Sequence, residues 1–114
     1  VKQVSKITAQ ELSAMSASMY GDMVKAVVDL KKKLLIVDAE MHVDEEQFLL
    51  ESGSKQEDLW GINLYPNKFG TDQFVEFDSM INIRPRQNNK SRSVEDEATR
   101  KEIINLVQGI VADE

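Results

Sequence analysis

His42 is the one histidine of the chain, and it stands among carboxylates: Glu40, Asp44, Glu45 and Glu46. Imidazole beside carboxylate is the residue set of general acid–base chemistry, because histidine exchanges its proton near neutral pH. A metal site is harder to build from the same residues. Asp44, Glu45 and Glu46 already suit the first turn of a helix, and one imidazole with carboxylates of no fixed spacing is no ligand set. No metal is therefore assigned; were oxygen ligands to hold a cation, magnesium or manganese would fit better than zinc. The plainer reading of His42 is a neutral histidine at a strand-to-helix junction.

A second group is Glu76, Asp78, Asn82 and Arg84, which fall at period two along one apparent strand, with Asn63 and Tyr65 on the strand before it. If the two strands pair, this polar face can bind a small polar ligand or set a general acid or base beside a cation. Asp78 and His42 are then the candidates for catalysis. The competing reading is a solvated sheet face, the ordinary condition of an antiparallel sheet.

The third is the run IRPRQNNKSRS, Ile83 to Ser93. Arg84, Arg86, Lys90 and Arg92 are the only charged residues between Ser79 and Val94, in a chain of net charge -6. Arginine and lysine ahead of a helix N-terminus are a recurrent way to hold phosphate or carboxylate. Asn63, Asn82, Arg84, Arg86, Lys90 and Arg92 thus form the expected ligand-binding set, for a small anionic ligand. The loop can equally pair with its own acids at Glu95, Asp96 and Glu97. Overall acidity and the scarcity of nearby aromatics argue against nucleic acid.

These groups need elements to position them. Thr8-Ala9-Gln10-Glu11 is a capping box, opening a helix over about 9–19 with Leu12, Met15 and Met19 on one face. Between Met23 and Asp38, helical and strand patterns compete; the β-branched residues Val24, Val27, Val28, Ile36 and Val37 favour two strands joined by the solvated Lys31-Lys32-Lys33. A second helix is expected with Asp44 as N-cap, Gln47 as its partner, Val43 and Phe48 as a hydrophobic staple, and Gly53 as the stop. Trp60, Ile62 and Leu64 alternate as a half-buried strand, and Phe74 to Ile83 reads as another, closed by Pro85. Ser93 or Asp96 caps a last helix with the stripe Ile103, Ile104, Val107, Ile110 and Val111.

The order is helix-β-β-helix-β-β-helix, which predicts an α+β two-layer domain with a four-stranded, mainly antiparallel sheet and the helices packed against it. The 114 residues suit a single domain, with residues 1–7 as a loosely ordered N-terminal arm. The chain has no cysteine, no apolar run able to span a bilayer and no signal-peptide pattern, so a cytoplasmic protein without membrane contact is expected. No Gly-rich phosphate loop, His-Glu-x-x-His or assignable Ser-His-Asp set is present, and no cofactor is implied.

Four segments, KAVVD (Lys25 to Asp29), EMHVDEE (Glu40 to Glu46), ESGSKQEDLWGINLYP (Glu51 to Pro66) and EFDSMINIRPRQNNKSRSVED (Glu76 to Asp96), resemble a family of short uncharacterised prokaryotic proteins, a domain of unknown function. The resemblance runs from about Ile7 to the last helix and carries over no activity, cofactor or site residue. One departure is Asp38-Ala39, where the family tends to place glycines ahead of the Glu-x-His segment.

Three functions remain open on the residues. One is a binding or interaction module that uses the polar strand face and the basic loop. Another is a metal-assisted hydrolase of a phosphate ester, with Asp78 or Glu76 acting with His42, and Arg84 or Arg92 holding the anion. The last is a homodimer joined through the apolar stripes of the first and last helices.

Overall fold

The computed structural model describes residues 1–114. In chain order its elements are β1 (Lys2–Val4), β2 (Ile7–Thr8), α1 (Ala9–Ala17), β3 (Val24–Asp29), β4 (Leu34–Val37), α2 (His42–Glu51), β5 (Leu59–Leu64), β6 (Val75–Glu76), α3 (Glu97–Ile110) and β7 (Val111–Ala112). Single 3-10 turns lie at Gln56–Asp58, Pro66–Lys68, Met80–Asn82 and Pro85–Gln87. One sheet of five strands runs in the order β1-β4-β3-β5-β6 with every neighbouring pair antiparallel, and β2 pairs with β7 in a small parallel ladder. The protein is α+β, as expected, with five strands in the main sheet in place of four.

Several local signals act as their chemistry requires. The Thr8 hydroxyl accepts from the Glu11 N–H at 3.0 Å and the Glu11 carboxylate from the Thr8 N–H at 3.1 Å, so two otherwise unpaired helix-end donors are satisfied. Asp96 caps α3 by accepting the Thr99 N–H at 2.9 Å. The β3–β4 hairpin closes through Asp29, whose Oδ1 accepts the Lys32 N–H at 2.9 Å, and Lys31, Lys32 and Lys33 lie exposed. Asp38 adopts φ +69, a left-handed conformation that glycine takes without strain and that aspartate tolerates better than most residues.

Period-two alternation sorts the sheet into two covered faces. Val24, Ala26, Val28, Ile62 and Leu64 join Leu12 of α1 and Ile103, Val107 and Ile110 of α3 in the larger core. Val27, Ile36 and Leu59 point the other way and meet Leu49 of α2. The expected two-layer arrangement is thus corrected: α2 covers the second face, and β5 is buried at all six positions where a half-buried strand was expected. The stripes of α1 and α3 lie against this chain's own sheet. Each fully buried leucine or isoleucine there contributes about 1.5–3 kcal/mol.

Three further expectations change. Residues 1–7 are no loose arm, because Lys2, Gln3 and Val4 pair with Val37, Ile36 and Leu35, and Val4 enters the core. The strand read over Phe74 to Ile83 keeps strand geometry only at Val75–Glu76; beyond it the chain turns through Met80–Asn82 and Pro85–Gln87. The second helix begins at His42, preceded by Met41 without a side-chain cap, and Val43 and Phe48 are exposed and form no staple. Its buried stripe is His42, Glu45, Glu46 and Leu49, at i, i+3, i+4 and i+7, which turns Val43 and Phe48 to solvent.

Candidate functional site

Where α2 starts, the second face of the sheet opens into a pocket of about 330 Å³. Lys25 comes to it from β3, His42 from α2, Asn63 from β5, Tyr65 from the turn after β5, Glu76 from β6, and Asp78, Ser79 and Arg92 from the irregular segments that follow. Met41, Val43 and Met80 make an exposed apolar rim. One wall of the pocket is the Ser79–Ile81 segment, which crosses directly over Gly61. A Cβ on Gly61 would lie 2.5 Å from the Ser79 Cβ and Oγ, so only glycine permits that approach.

His42 is 7% exposed, and its Nε2 lies 2.7 Å from the Ile62 carbonyl oxygen. A carbonyl only accepts, so Nε2 carries the proton, and in the neutral ring Nδ1 is left as an acceptor. Burial, seconded by the Lys25 charge, holds the imidazole below its ordinary pKa; the Ile62 carbonyl, Asp78 and Asn63 oppose this without overcoming it. His42 is therefore neutral at pH 7, at the strand-to-helix junction where the residues placed it.

Asn63 is 5% exposed and fixed in orientation. Its Nδ2 donates to Glu76 Oε1 at 2.8 Å and to the Asp78 carbonyl at 3.3 Å, two acceptors that only the amide nitrogen can serve. Its Oδ1 is consequently turned away from them, buried, and without a donor. The Tyr65 hydroxyl donates to the same Glu76 oxygen at 2.9 Å, and desolvation together with that carboxylate pushes the phenol up to about 12. Arg92 Nε meets Asp78 Oδ1 at 2.6 Å in the protein's one salt bridge, with the two side chains 55% and 42% exposed. A pair so open to water contributes at most about 1 kcal/mol. Lys25 has no carboxylate partner, and its ammonium lies 4.9 Å from the Tyr20 ring centroid.

The residues expected to bind a ligand, and the catalytic candidates His42 and Asp78, separate. His42, Asn63, Asp78 and Arg92 line the pocket, and β5 does pair with β6, Asn63 opposite Glu76. Asn82 is instead a structural residue: fully buried, it accepts the Gly61 N–H at 2.8 Å and donates to the Gly61 carbonyl at 2.9 Å, extending the ladder where β6 has ended. Arg84 lies outside the pocket, stacked 4.2 Å from the Trp60 ring centroid and donating to the carbonyls of Leu59, at 2.7 Å, and Gln56. Burial lowers its pKa, against the support of Glu46 and Asp58. Arg86 and Lys90 are exposed and also outside the pocket.

The basic loop is a small hairpin. Arg84 and Asn89 exchange backbone hydrogen bonds of 2.7 and 3.2 Å, and Asn88 takes φ +59. Buried Asn89 ties the loop to the carbonyls of Asn82 and Ser93, at 2.8 and 2.7 Å. The backbone N–H groups of Lys90 and Ser91 donate to Glu95, whose pKa the Ser91 side chain and these two N–H groups hold below the usual carboxylate range.

The residues missed by reading the sequence are Lys25, Ser79 and, one helical turn beyond His42, Glu45. Lys25 could have been found as the lone cation on the Val27 face of β3; what covers that face is a long-range fact. Glu45, expected in an exposed first turn, is fully buried with neither carboxyl oxygen hydrogen-bonded. Burial, reinforced by Asp44, pushes it up to about 10 against the opposing pull of nearby positive charge, Lys25 included; the Ala39 backbone lowers it only weakly. Glu45 is therefore a neutral carboxylic acid at pH 7. No three His, Cys, Asp or Glu side chains come together in a way that could hold a metal ion, so the metal-assisted reading has no ligand set. No helix is long and apolar enough to cross a membrane.

Fold and site together define a class: a small α+β protein with helices on both faces of an antiparallel sheet and one polar pocket beside its second face. The chain belongs to the family described as protein of unknown function (DUF5674), whose model matches residues 2–110. No curated protein and no solved structure matches the chain at a significant level.

Proposed function

We propose that the protein is a binding module and that its pocket takes a small anionic ligand. The observation that carries this reading is the meeting of Lys25 and Arg92 with Asn63 and His42 in one concavity. Lys25 is a cation without a carboxylate partner, and Arg92 is held by a solvent-exposed pair that an incoming anion can displace at little cost. At about 330 Å³ the pocket is at the small end of ligand sites, which run from roughly 300 to 1,000 Å³, so the ligand is a small molecule. Arg86 and Lys90 lie outside it and have no part in this reading. The test is a titration of the isotope-labelled protein with inorganic phosphate and with acetate at low salt, followed by NMR. Shifts at Lys25, Asn63 and Arg92 are expected; no movement there, or movement confined to Arg86 and Lys90, overturns the reading.

One observation favours a hydrolytic alternative that needs no metal: His42 and Asp78 line the same pocket, and the Nδ1 of neutral His42 is free to take a proton. It predicts turnover of a phosphate monoester such as p-nitrophenyl phosphate that disappears in His42→Gln. The absence of turnover in the unaltered protein removes it.

A further inference from the structure

Resting on the anion-binding reading, we infer that the ligand is a small zwitterion, carrying an ammonium group as well as its carboxylate or phosphate. The pocket presents three acceptors that no protein donor fills: Asn63 Oδ1, the Nδ1 of neutral His42, and Glu76 Oε2, the oxygen that Asn63 and Tyr65 leave free. Of the three only Asn63 Oδ1 is itself buried, Glu76 being an exposed residue whose free oxygen meets water; a buried acceptor without a donor costs about 1–3 kcal/mol, and native structures keep few of them. Asn63 cannot relieve this by turning over, because its nitrogen is already engaged with Glu76 and the Asp78 carbonyl. Neither can His42, because its one proton is engaged with Ile62. An ammonium brings three N–H donors, enough to serve the buried Asn63 Oδ1 and still donate to another of the pocket's free acceptors.

Charge points the same way. Lys25 and Arg92 face Glu76 and Asp78, two cations against two carboxylates, so the pocket is neutral as built. A bare anion or a bare cation would leave its charge uncompensated in the partly desolvated site, whereas the ammonium of a zwitterion offsets its anionic group, fully for a carboxylate and in part for a phosphate monoester. The ammonium goes to the Asn63 side of the pocket, beside His42 and Glu76; the anionic group goes to Lys25 and, by exchange with Asp78, to Arg92.

The experiment separates this from the parent reading by ligand chemistry, which avoids variants that fail to fold. The labelled protein is titrated at pH 7.5 with alanine, O-phosphoethanolamine, propionate, inorganic phosphate and ethylammonium, following the Asn63 side-chain amide and the His42 ring nitrogens. Alanine or O-phosphoethanolamine is expected to shift these signals at concentrations about tenfold lower than the three probes that carry charge of one sign only, the change one charge-assisted hydrogen bond brings; which of the two acts shows whether the anion is carboxylate or phosphate. Propionate or inorganic phosphate binding as tightly as its zwitterionic counterpart overturns the zwitterion and leaves the anion site standing. If ethylammonium binds best, or no probe shifts the signals, both readings are overturned. A His42 ring found as imidazolium in the free protein would fill Asn63 Oδ1 from within and also overturn the inference.

Discussion

Replacing Glu45 by glutamine keeps the shape of the side chain and removes its titration. In the fold this carboxyl is pushed up to about 10 from an ordinary value of 4.5, with burial as the main cause. The folded protein therefore keeps a proton that the unfolded chain releases once the pH passes 4.5. Wherever the folded state binds more protons, stability falls as pH rises, by about 1.4 kcal/mol per pH unit for one proton. Below pH 4.5 both states are protonated and Glu45 adds no slope. From pH 4.5 to 7 the loss comes to about 3 kcal/mol, and it continues toward pH 10. Its size at pH 7 depends only on the unfolded pKa, provided the folded one lies well above 7.

Glu45→Gln is thus expected to gain on the unaltered protein by about 3 kcal/mol between pH 4.5 and 7, all other groups cancelling in the difference. Urea unfolding followed by the fluorescence of Trp60, the only tryptophan and 6% exposed, reads this directly. With a urea dependence of about 1–3 kcal/mol per molar, the midpoints of the two proteins separate by at least about 1 M more at pH 7 than at pH 4.5. A separation independent of pH would mean that Glu45 is ionised in the fold, stabilised by nearby positive charge, and would refute the argument from burial.

Other substitutions and spectra test the architecture around the pocket. Gly61→Ala forces a methyl onto Ser79 and is expected to cost about 1–3 kcal/mol in urea unfolding; a neutral result would show that the crossing segment gives way. Asn82→Ala removes both bonds to the Gly61 backbone and is expected to cost at least about 2 kcal/mol, with faster amide exchange at Gly61, whereas unchanged exchange would contradict the ladder role. Long-range proton–nitrogen spectra should find His42 neutral at pH 7 with the proton on Nε2; a proton on Nδ1 would contradict the Ile62 bond.

What could be read from the residues was local. The Thr8–Glu11 box, the Asp96 cap, the lysine-tipped hairpin and the α3 stripe each rest on interactions spanning a few residues, so neighbours in sequence suffice. The α2 stripe failed for an instructive reason. A helix with His42, Glu45 and Glu46 inward reverses the usual polarity rule, and only the second face of the sheet decides which side is inside. The strand after Gln73 was overextended because the side chain of Asn82 imitates a strand backbone, an event with no period in the sequence. The pocket was legible in part: His42, Asn63, Asp78 and Arg92 were singled out by type, while Lys25 joined them through the β3–β5 register. The basic loop drew attention by charge, yet its backbone serves Glu95 and its Arg84 serves Trp60 and two carbonyls.

The pocket as a ligand site is tested most directly by affinity in a matched pair of charge-neutralised variants, Lys25→Met inside it and Arg86→Met outside it, titrated with alanine and with inorganic phosphate. Equal loss of one positive charge separates position from net charge. Lys25→Met is expected to weaken binding by about tenfold or more and Arg86→Met to leave it unchanged, since a charged hydrogen bond contributes about 1.5–3 kcal/mol and Arg86 makes none to the ligand. Equal weakening by both, or weakening by Arg86→Met alone, would contradict the assignment of the pocket.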